Sequence, residues 1–120
     1  MNMRTFEEVW QDIKRLRDTD VFTLRHHNKN HIMGVDETWL VTNPDKSRYP
    51  HTHPITKGAF KTVWRKLLAD GNFVPVEDGG YNLICACLAL LPEVEYSLNP
   101  ETIWLTTNTH EFGNLVERTT

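Results

Sequence analysis

Two histidines separated by one residue are the first candidates for chemistry in this chain. His51 and His53 belong to the run YPHTHP, which its two prolines keep extended. Residues two apart in an extended segment point to the same side, a geometry that can bind zinc or another divalent ion. A third ligand would have to come from His26, His27 or His31. Because no CxxC or HExxH pattern accompanies these residues, we interpret them as exposed or hydrogen-bonding histidines and predict no metal and no cofactor.

Three further residues are of the types that a restriction nuclease uses, two acids and a lysine, in which the carboxylates hold Mg²⁺. Asp36 and Glu37 are adjacent in a turn between two predicted strands, and Lys46 follows in a loop. This spacing and this placement in turns do not suit a nuclease site. Ser47 lacks the sequence context of a catalytic serine. A metal-dependent hydrolase is therefore the most distant interpretation, and a function without catalysis is favoured.

A run of cations gives the leading functional hypothesis. Residues 46–66 contain six Lys or Arg and no acid, with Tyr, His and Trp interleaved. Such a surface suits the neutralisation of DNA or RNA phosphates by cations and the stacking of bases on rings. The plainer alternative is that these cations solvate the outer edge of a helix that packs on the core. The hypothesis predicts a nucleic-acid-binding face formed by Arg48, Tyr49, His51, His53, Lys57, Lys61 and Arg65.

The net charge of −3 hides a strong asymmetry between the two halves of the chain. Residues 1–66 hold twelve of the thirteen Lys and Arg against eight acids, which is +4, whereas residues 67–120 hold Arg118 alone against eight acids, which is −7. Such asymmetry fits a polyanion-binding face, a head-to-tail contact between copies, or simply a solvated surface. A protein-interaction module, such as a small regulator or inhibitor, is therefore the alternative. The net negative charge itself is unusual for a dedicated DNA-binding domain.

The stretch YNLICACLALL at residues 81–91 predicts the central core helix. Apart from Asn82, its side chains are apolar or thiols, so this helix is hydrophobic on all faces. Cys85 and Cys87 lie two residues apart, which is poor helical geometry for a disulfide or a shared metal. We interpret them as small buried hydrophobic residues of a reducing, cytoplasmic protein. Eleven residues that end at Pro92 are too few to span a bilayer, so we expect no membrane contact.

Two more helices are marked by their caps. A capping-box pattern at Thr5 begins a helix over residues 5–17. Thr56 and Gly71 bound a second helix over residues 57–69, whose border carries the last three cations of the predicted binding face at four-residue spacing. The basic face is therefore expected on the second helix and on the segment before it.

Short runs of β-forming residues predict strands over residues 21–24, 31–35, 39–42, 49–55, 73–76, 94–97 and 103–105. The prolines of residues 49–55 restrict that run to an edge strand or an extended segment. We thus predict an α+β fold with about three helices and a small, mainly antiparallel sheet, as a single domain over residues 1–105. Residues 106–120 form a polar C-terminal tail, whose docking through Phe112, Leu115 and Val116 is left open.

Several short motifs are shared with a known kind of domain: FTL from Phe22, WLV from Trp39, the pattern F..VW..LL..G over residues 60–71, CLALLPEVEY from Cys87 and NPETIWL from Asn99. Together they resemble a poorly characterised bacterial domain that often lies beside restriction-type endonuclease or other defence domains. The resemblance covers residues 21–105 and rests on core and turn positions. It implies a shared, winged-helix-like fold and an accessory role, and it assigns no catalytic residue.

Overall fold

Three helices and seven strands make up the described part of this chain. The computed structural model describes residues 4–44, 53–75 and 81–118. In chain order the elements are α1 (Phe6–Lys14), β1 (Asp20–Phe22), β2 (Lys29–Val35), β3 (Trp39–Pro44), β4 (His53–Thr56), α2 (Lys57–Asp70), β5 (Asn72–Phe73), α3 (Asn82–Ala89), β6 (Val94–Leu98) and β7 (Glu101–Leu105). The predicted α+β class, with three helices and antiparallel pairing, is confirmed.

The predicted caps set the helix boundaries. The Glu8 amide donates to Thr5 Oγ1 over 3.3 Å and the Thr5 amide donates to Glu8 Oε1 over 3.1 Å, which completes the capping box of α1. Thr56 Oγ1 accepts from the Ala59 amide over 3.1 Å at the start of α2. Gly71 ends α2 with a φ of 81°, in the left-handed region that favours glycine. Local sequence signals therefore determine where these helices begin and end.

Two helices are shorter than predicted because each closes with a tighter turn. Helix α1 ends at Lys14, and the turn after it carries Asp18 in a left-handed conformation with a φ of 62°. Helix α3 ends at Ala89, because the amides of Leu90 and Leu91 donate to carbonyls three residues back instead of four. Such final turns look helical in sequence but leave the α-helical hydrogen-bond pattern.

The strands form two sheets where one was predicted. The described strands β1 to β4 pair antiparallel in sequential order, and β5, β7 and β6 pair antiparallel in that order. The predicted hairpin of β2 and β3 is confirmed, with a bulge between Ile32 and Gly34, and β4 is an edge strand as predicted. Helices α2 and α3 each contact strands of both sheets. The two sheets thus share α2 and α3 as packing partners.

Helix α3 lies in the core as predicted. Residues 84–89 are all buried, and its buried thiol at Cys87 has a pKa raised to about 12 because burial disfavours the thiolate. The core also contains Trp10 and Phe60, whose ring centroids lie 5.3 Å apart. Each fully buried large side chain stabilises the fold by about 1.5–3 kcal/mol relative to exposure. No helix in the described ranges combines the length and the apolar character needed to cross a membrane.

The tail, up to residue 118, packs on the preceding elements. The Arg118 amide donates to the Tyr96 carbonyl over 2.7 Å, and the Tyr96 amide donates to the Val116 carbonyl over 3.1 Å. These bonds place the tail beside β6 in a short parallel bridge. The Arg15 guanidinium lies 4.3 Å from the Phe112 ring centroid, which links the tail to the end of α1. Residues 106–118 thus contribute to surfaces shared with β1, α3 and β6.

Candidate binding surfaces

The predicted nucleic-acid-binding residues fall into two groups. Outside the described residues lie Arg48, Tyr49 and His51. His53 is in β4, opposite Thr42, and its side chain is also outside the described set. The second group lies on α2 and consists of Lys57, Lys61 and Arg65. Together with Lys66, whose Nζ lies 5.9 Å from the centroid of the Phe73 ring, these side chains are the cations of α2.

Lys57 is neutralised inside the fold. Its Nζ lies 2.8 Å from Glu7 Oε2 and 3.1 Å from Glu37 Oε2, and it lies 5.9 Å from the centroid of the Trp10 ring. Only 19% of the Lys57 side chain is exposed. The hydrogen bond from Lys57 lowers the pKa of Glu7. Lys57 therefore ties α2 to α1 and to the turn between β2 and β3, and little of its charge is left for a phosphate.

The rest of the basic edge is smaller than the sequence suggests. Lys61 is half-buried and Arg65 is exposed. Within the described parts of the chain, neither forms an ion pair. Lys61 is close enough to Glu7 to lower the pKa of that carboxyl further. Two cations of α2, at the middle and toward the end of the helix, thus remain able to meet an external anion.

Helix α3 is unsuited to reading DNA. It precedes the β6–β7 hairpin, and β7 pairs with the earlier strand β5, an arrangement compatible with a winged-helix topology. A recognition helix must present its side chains to a DNA groove. Residues 84–89 of α3 are buried, and the helix sequence NLICACLA carries no charge. Between these two described helices, a nucleic-acid contact would therefore fall to α2 and not to α3.

The acids considered for metal chemistry have structural roles. Asp36 Oδ1 accepts from the Thr38 amide over 2.7 Å and from the Trp39 amide over 3.1 Å, and these bonds lower the pKa of Asp36. Glu37 pairs with Lys57. Asp36 thus stabilises the turn between β2 and β3, and Glu37 links that turn to α2. A role of these acids as Mg²⁺ ligands finds no support in this geometry.

The histidines near β2 form a side-chain contact or are exposed to solvent. His31 Nδ1 lies 2.9 Å from Asp20 Oδ1 across the β1–β2 pair. His26 and His27 are exposed in the turn between these strands. Among residues 4–44, 53–75 and 81–118, no group of three or more His, Cys, Asp or Glu side chains is placed to hold a metal ion.

An apolar groove that the sequence did not reveal lies beside β1. It has a volume of about 270 Å³ and is formed by β1, α3 and the tail. Two large apolar side chains at the groove, Phe22 and Leu115, are 44% and 41% exposed. The groove is lined by Asp20, Val21, Phe22, Ala86, Leu90, Gly113, Asn114 and Leu115.

The strand β1 offers an unpaired edge to this groove. In the described residues β1 pairs with β2 alone. The Thr19 carbonyl accepts from the Ile32 amide over 2.8 Å and the Thr23 amide donates to the Asn28 carbonyl over 3.1 Å, so these positions on either side of β1 face β2. Because backbone groups alternate in direction along an antiparallel strand, the amides and carbonyls of Asp20 and Phe22 face away from β2. An edge of this kind is a template for another strand.

Two more large apolar side chains are exposed on the same sheet. Met33, at the bulge of β2, is 45% exposed, and Trp39, at the start of β3, is 41% exposed. Aromatic residues and Met are enriched where proteins contact one another. Met33 and Trp39 thus add to the apolar side chains that the four-stranded sheet exposes.

Comparison with known proteins yields no relative: no protein family, no curated protein and no solved structure matches this chain. The resemblance of residues 21–105 to the bacterial accessory domain stays a prediction.

Proposed function

We propose that this chain is a non-enzymatic protein-interaction module that binds an extended segment of a partner along β1. The observation that supports this proposal most is the combination of an unpaired strand edge with an apolar groove beside it. Strand addition at a sheet edge gains affinity from main-chain hydrogen bonds, and pockets for alternate side chains add specificity. We therefore favour a protein-interaction module over nucleic-acid binding, which was the leading hypothesis from the sequence.

The chemistry of the partner segment follows from the groove. The backbone groups of Asp20 and Phe22 can form up to four hydrogen bonds with an added strand. A groove of about 270 Å³ accommodates one or two apolar side chains, which would also cover Phe22 and Leu115. The partner segment is thus an extended peptide with apolar residues at alternate positions. Because the contact is small, we expect weak and reversible binding.

The biological setting is part of the same proposal. The buried thiol of Cys87 and the absence of a disulfide at this position suit a reducing, cytoplasmic compartment. Under the resemblance to the bacterial accessory domain, the partner would be a neighbouring defence protein, and the module would act as its accessory or regulator.

Substitution of exposed groove residues tests the proposal. Peptides that bind the full chain are first selected from a displayed library of random segments. We expect Phe22→Ser and Leu115→Ser each to weaken the binding of the selected peptides by about tenfold or more, because each removes apolar contact area. Leu68→Ser is the matched control, since Leu68 is 44% exposed on α2 and does not line the groove. Affinities are measured by fluorescence anisotropy.

Two outcomes would contradict the proposal. One is that no peptide is enriched in the selection. The other is that the selected peptides bind both groove variants as tightly as they bind the original chain. Light scattering over a range of protein concentrations tests whether a second copy of this chain occupies the groove. Such a copy would appear as a dimer, and Phe22→Ser would dissociate it.

Nucleic-acid binding through α2 is the second candidate. Its support is that Lys61 and Arg65 form no ion pair within the described residues and that further cations precede α2 in sequence. Two phosphate contacts predict a slope of only about −2 in log affinity against log salt, whereas sequence-specific DNA binders make about 6–10 such contacts. This small number is the reason for ranking the candidate second.

Anisotropy with labelled single-stranded and duplex DNA and RNA at low and near-physiological salt tests the second candidate. If α2 binds phosphates, Arg65→Ala should weaken binding by several-fold and reduce the salt slope by about one. Arg17→Ala is the control, because Arg17 is 70% exposed in the turn that follows α1. Absence of binding at low salt, or equal effects of the two substitutions, would rule out the α2 surface.

A further inference from the structure

A second cavity lies between β6 and the tail. Its lining is mainly polar, whereas the lining of the β1 groove is mainly apolar. The volume of this second cavity is about 290 Å³. The backbone bonds of Tyr96 to Val116 and Arg118 hold the tail along β6 at this point. The cavity is lined by Glu95, Thr106, Asn108, Val116, Glu117 and Arg118.

Glu95 contributes a buried carboxylate to this cavity. It is only 9% exposed, and within the described residues it has no hydrogen-bond or ion-pair partner. Its cross-strand neighbour in the β6–β7 pair is Trp104. A protonated amine that entered the cavity would provide the missing partner.

Arg118 contributes the opposite charge. It is the only Lys or Arg in residues 67–120, although that half of the chain holds eight acids. Its guanidinium carbon lies 5.8 Å from the centroid of the Trp104 ring, and in the described residues Arg118 forms no ion pair, with Glu95 or with any other acid. A guanidinium positioned by a ring retains donors that match the two oxygens of a carboxylate.

We propose that this cavity binds a small zwitterion, namely a free α-amino acid. Its ammonium group contacts the Glu95 carboxylate and its carboxylate contacts the Arg118 guanidinium. Thr106 and Asn108 add polar groups at the rim, where Thr106 Oγ1 already accepts from the Asn108 amide over 3.0 Å. The proposal rests on the coexistence in one cavity of a buried carboxylate and a guanidinium that do not pair with each other. It is independent of the peptide groove at β1.

Calorimetric titration of the full chain with the standard L-amino acids at about 10 mM tests this proposal. We expect at least one amino acid to bind and to shift the indole N–H resonance of Trp104. The N-acetylated form of that amino acid, which lacks the ammonium group, and its amide, which lacks the carboxylate, should each bind about tenfold more weakly or not at all. These analogues probe both charges without changing the protein.

Substitutions probe the same contacts from the protein side. Glu95→Gln keeps the side-chain shape and removes the charge, and Arg118→Ala changes an exposed residue, so neither is expected to unfold the chain. Each should weaken amino-acid binding about tenfold, while Arg17→Ala leaves it unchanged. The proposal is overturned if no amino acid binds, if both analogues bind as well as the parent, or if acetate alone binds Arg118 with equal affinity.

Discussion

At the scale of single residues, burial controls the chemistry of the Cys87 thiol. Burial raises its pKa from 9.0 to about 12. The unfolded chain therefore loses this proton at a lower pH than the folded chain does. The stability that comes from the neutral, buried thiol is complete below pH 9 and is lost as pH rises toward 12.

This linkage gives a prediction about alkaline stability. Between pH 9 and pH 11 the free energy of unfolding of the original chain should fall more steeply than that of Cys87→Ala, by up to about 1.4 kcal/mol per pH unit. Urea unfolding at several pH values measures the difference. The pKa of Tyr96, which burial and the nearby Glu117 charge raise, contributes to both proteins and cancels in the comparison. Parallel pH profiles of the two proteins would show that Cys87 is not protected in the folded state.

Lys57 shows what a sequence can and cannot reveal about a single side chain. The four-residue spacing of Lys57, Lys61 and Arg65 correctly places all three on α2. It contains no information about Glu7 and Glu37, which lie far from Lys57 in sequence and beside it in space. The helical position of a charged residue was thus predictable, whereas its availability to a ligand depended on long-range packing.

At the scale of elements, two glycines of α2 have opposite roles. Gly58 lies in the first turn, where an added Cβ would meet only Thr56 Oγ1, at 3.9 Å, among atoms within 4 Å. Gly71 ends the helix with a φ of 81°, a backbone conformation that residues with a side chain rarely adopt. Glycine is therefore replaceable at the start of α2 and required at its end.

The two substitutions to alanine should shift stability in opposite directions. Gly58→Ala is expected to stabilise the protein by about 0.5–1 kcal/mol, because it lowers the conformational entropy of the unfolded chain. Gly71→Ala is expected to destabilise it by about 1 kcal/mol, because alanine is strained at positive φ. Thermal unfolding should separate the two variants by several degrees. A stabilising effect of Gly71→Ala would mean that α2 ends differently.

Helices were easier to predict than sheets because their signals are local. The caps at Thr5, Thr56 and Gly71 each act within four residues, and the apolar run of α3 identified its burial. The division into two sheets depends instead on pairing between strands that lie far apart in sequence, such as β5 with β7. Pairing between distant strands leaves no signal at a fixed spacing, so the sequence predicted the strands but not their separation.

At the scale of the whole molecule, the β1 groove was hidden from sequence analysis for the same reason. Its lining combines residues 20–22, Ala86 and Leu90, and residues 113–115, which fold together from three separate segments. The sequence pointed to Leu115 only as a residue for docking the tail. In the structure Leu115 is exposed at the groove, while Phe112 meets Arg15. The apolar character of a groove emerges only when its segments are brought together.

The central claim, that β1 accepts a strand of a partner protein, is tested most directly by amide hydrogen exchange measured by NMR. In the unbound chain the amides of Asp20 and Phe22 should exchange quickly, and that of Val21, between them and bonded to β2, should exchange slowly. A selected peptide should slow the exchange of Asp20 and Phe22 by about tenfold or more and leave α2 unchanged. Bound peptide that leaves these two amides exchanging quickly would contradict the claim, as would slow exchange of both before any peptide is added.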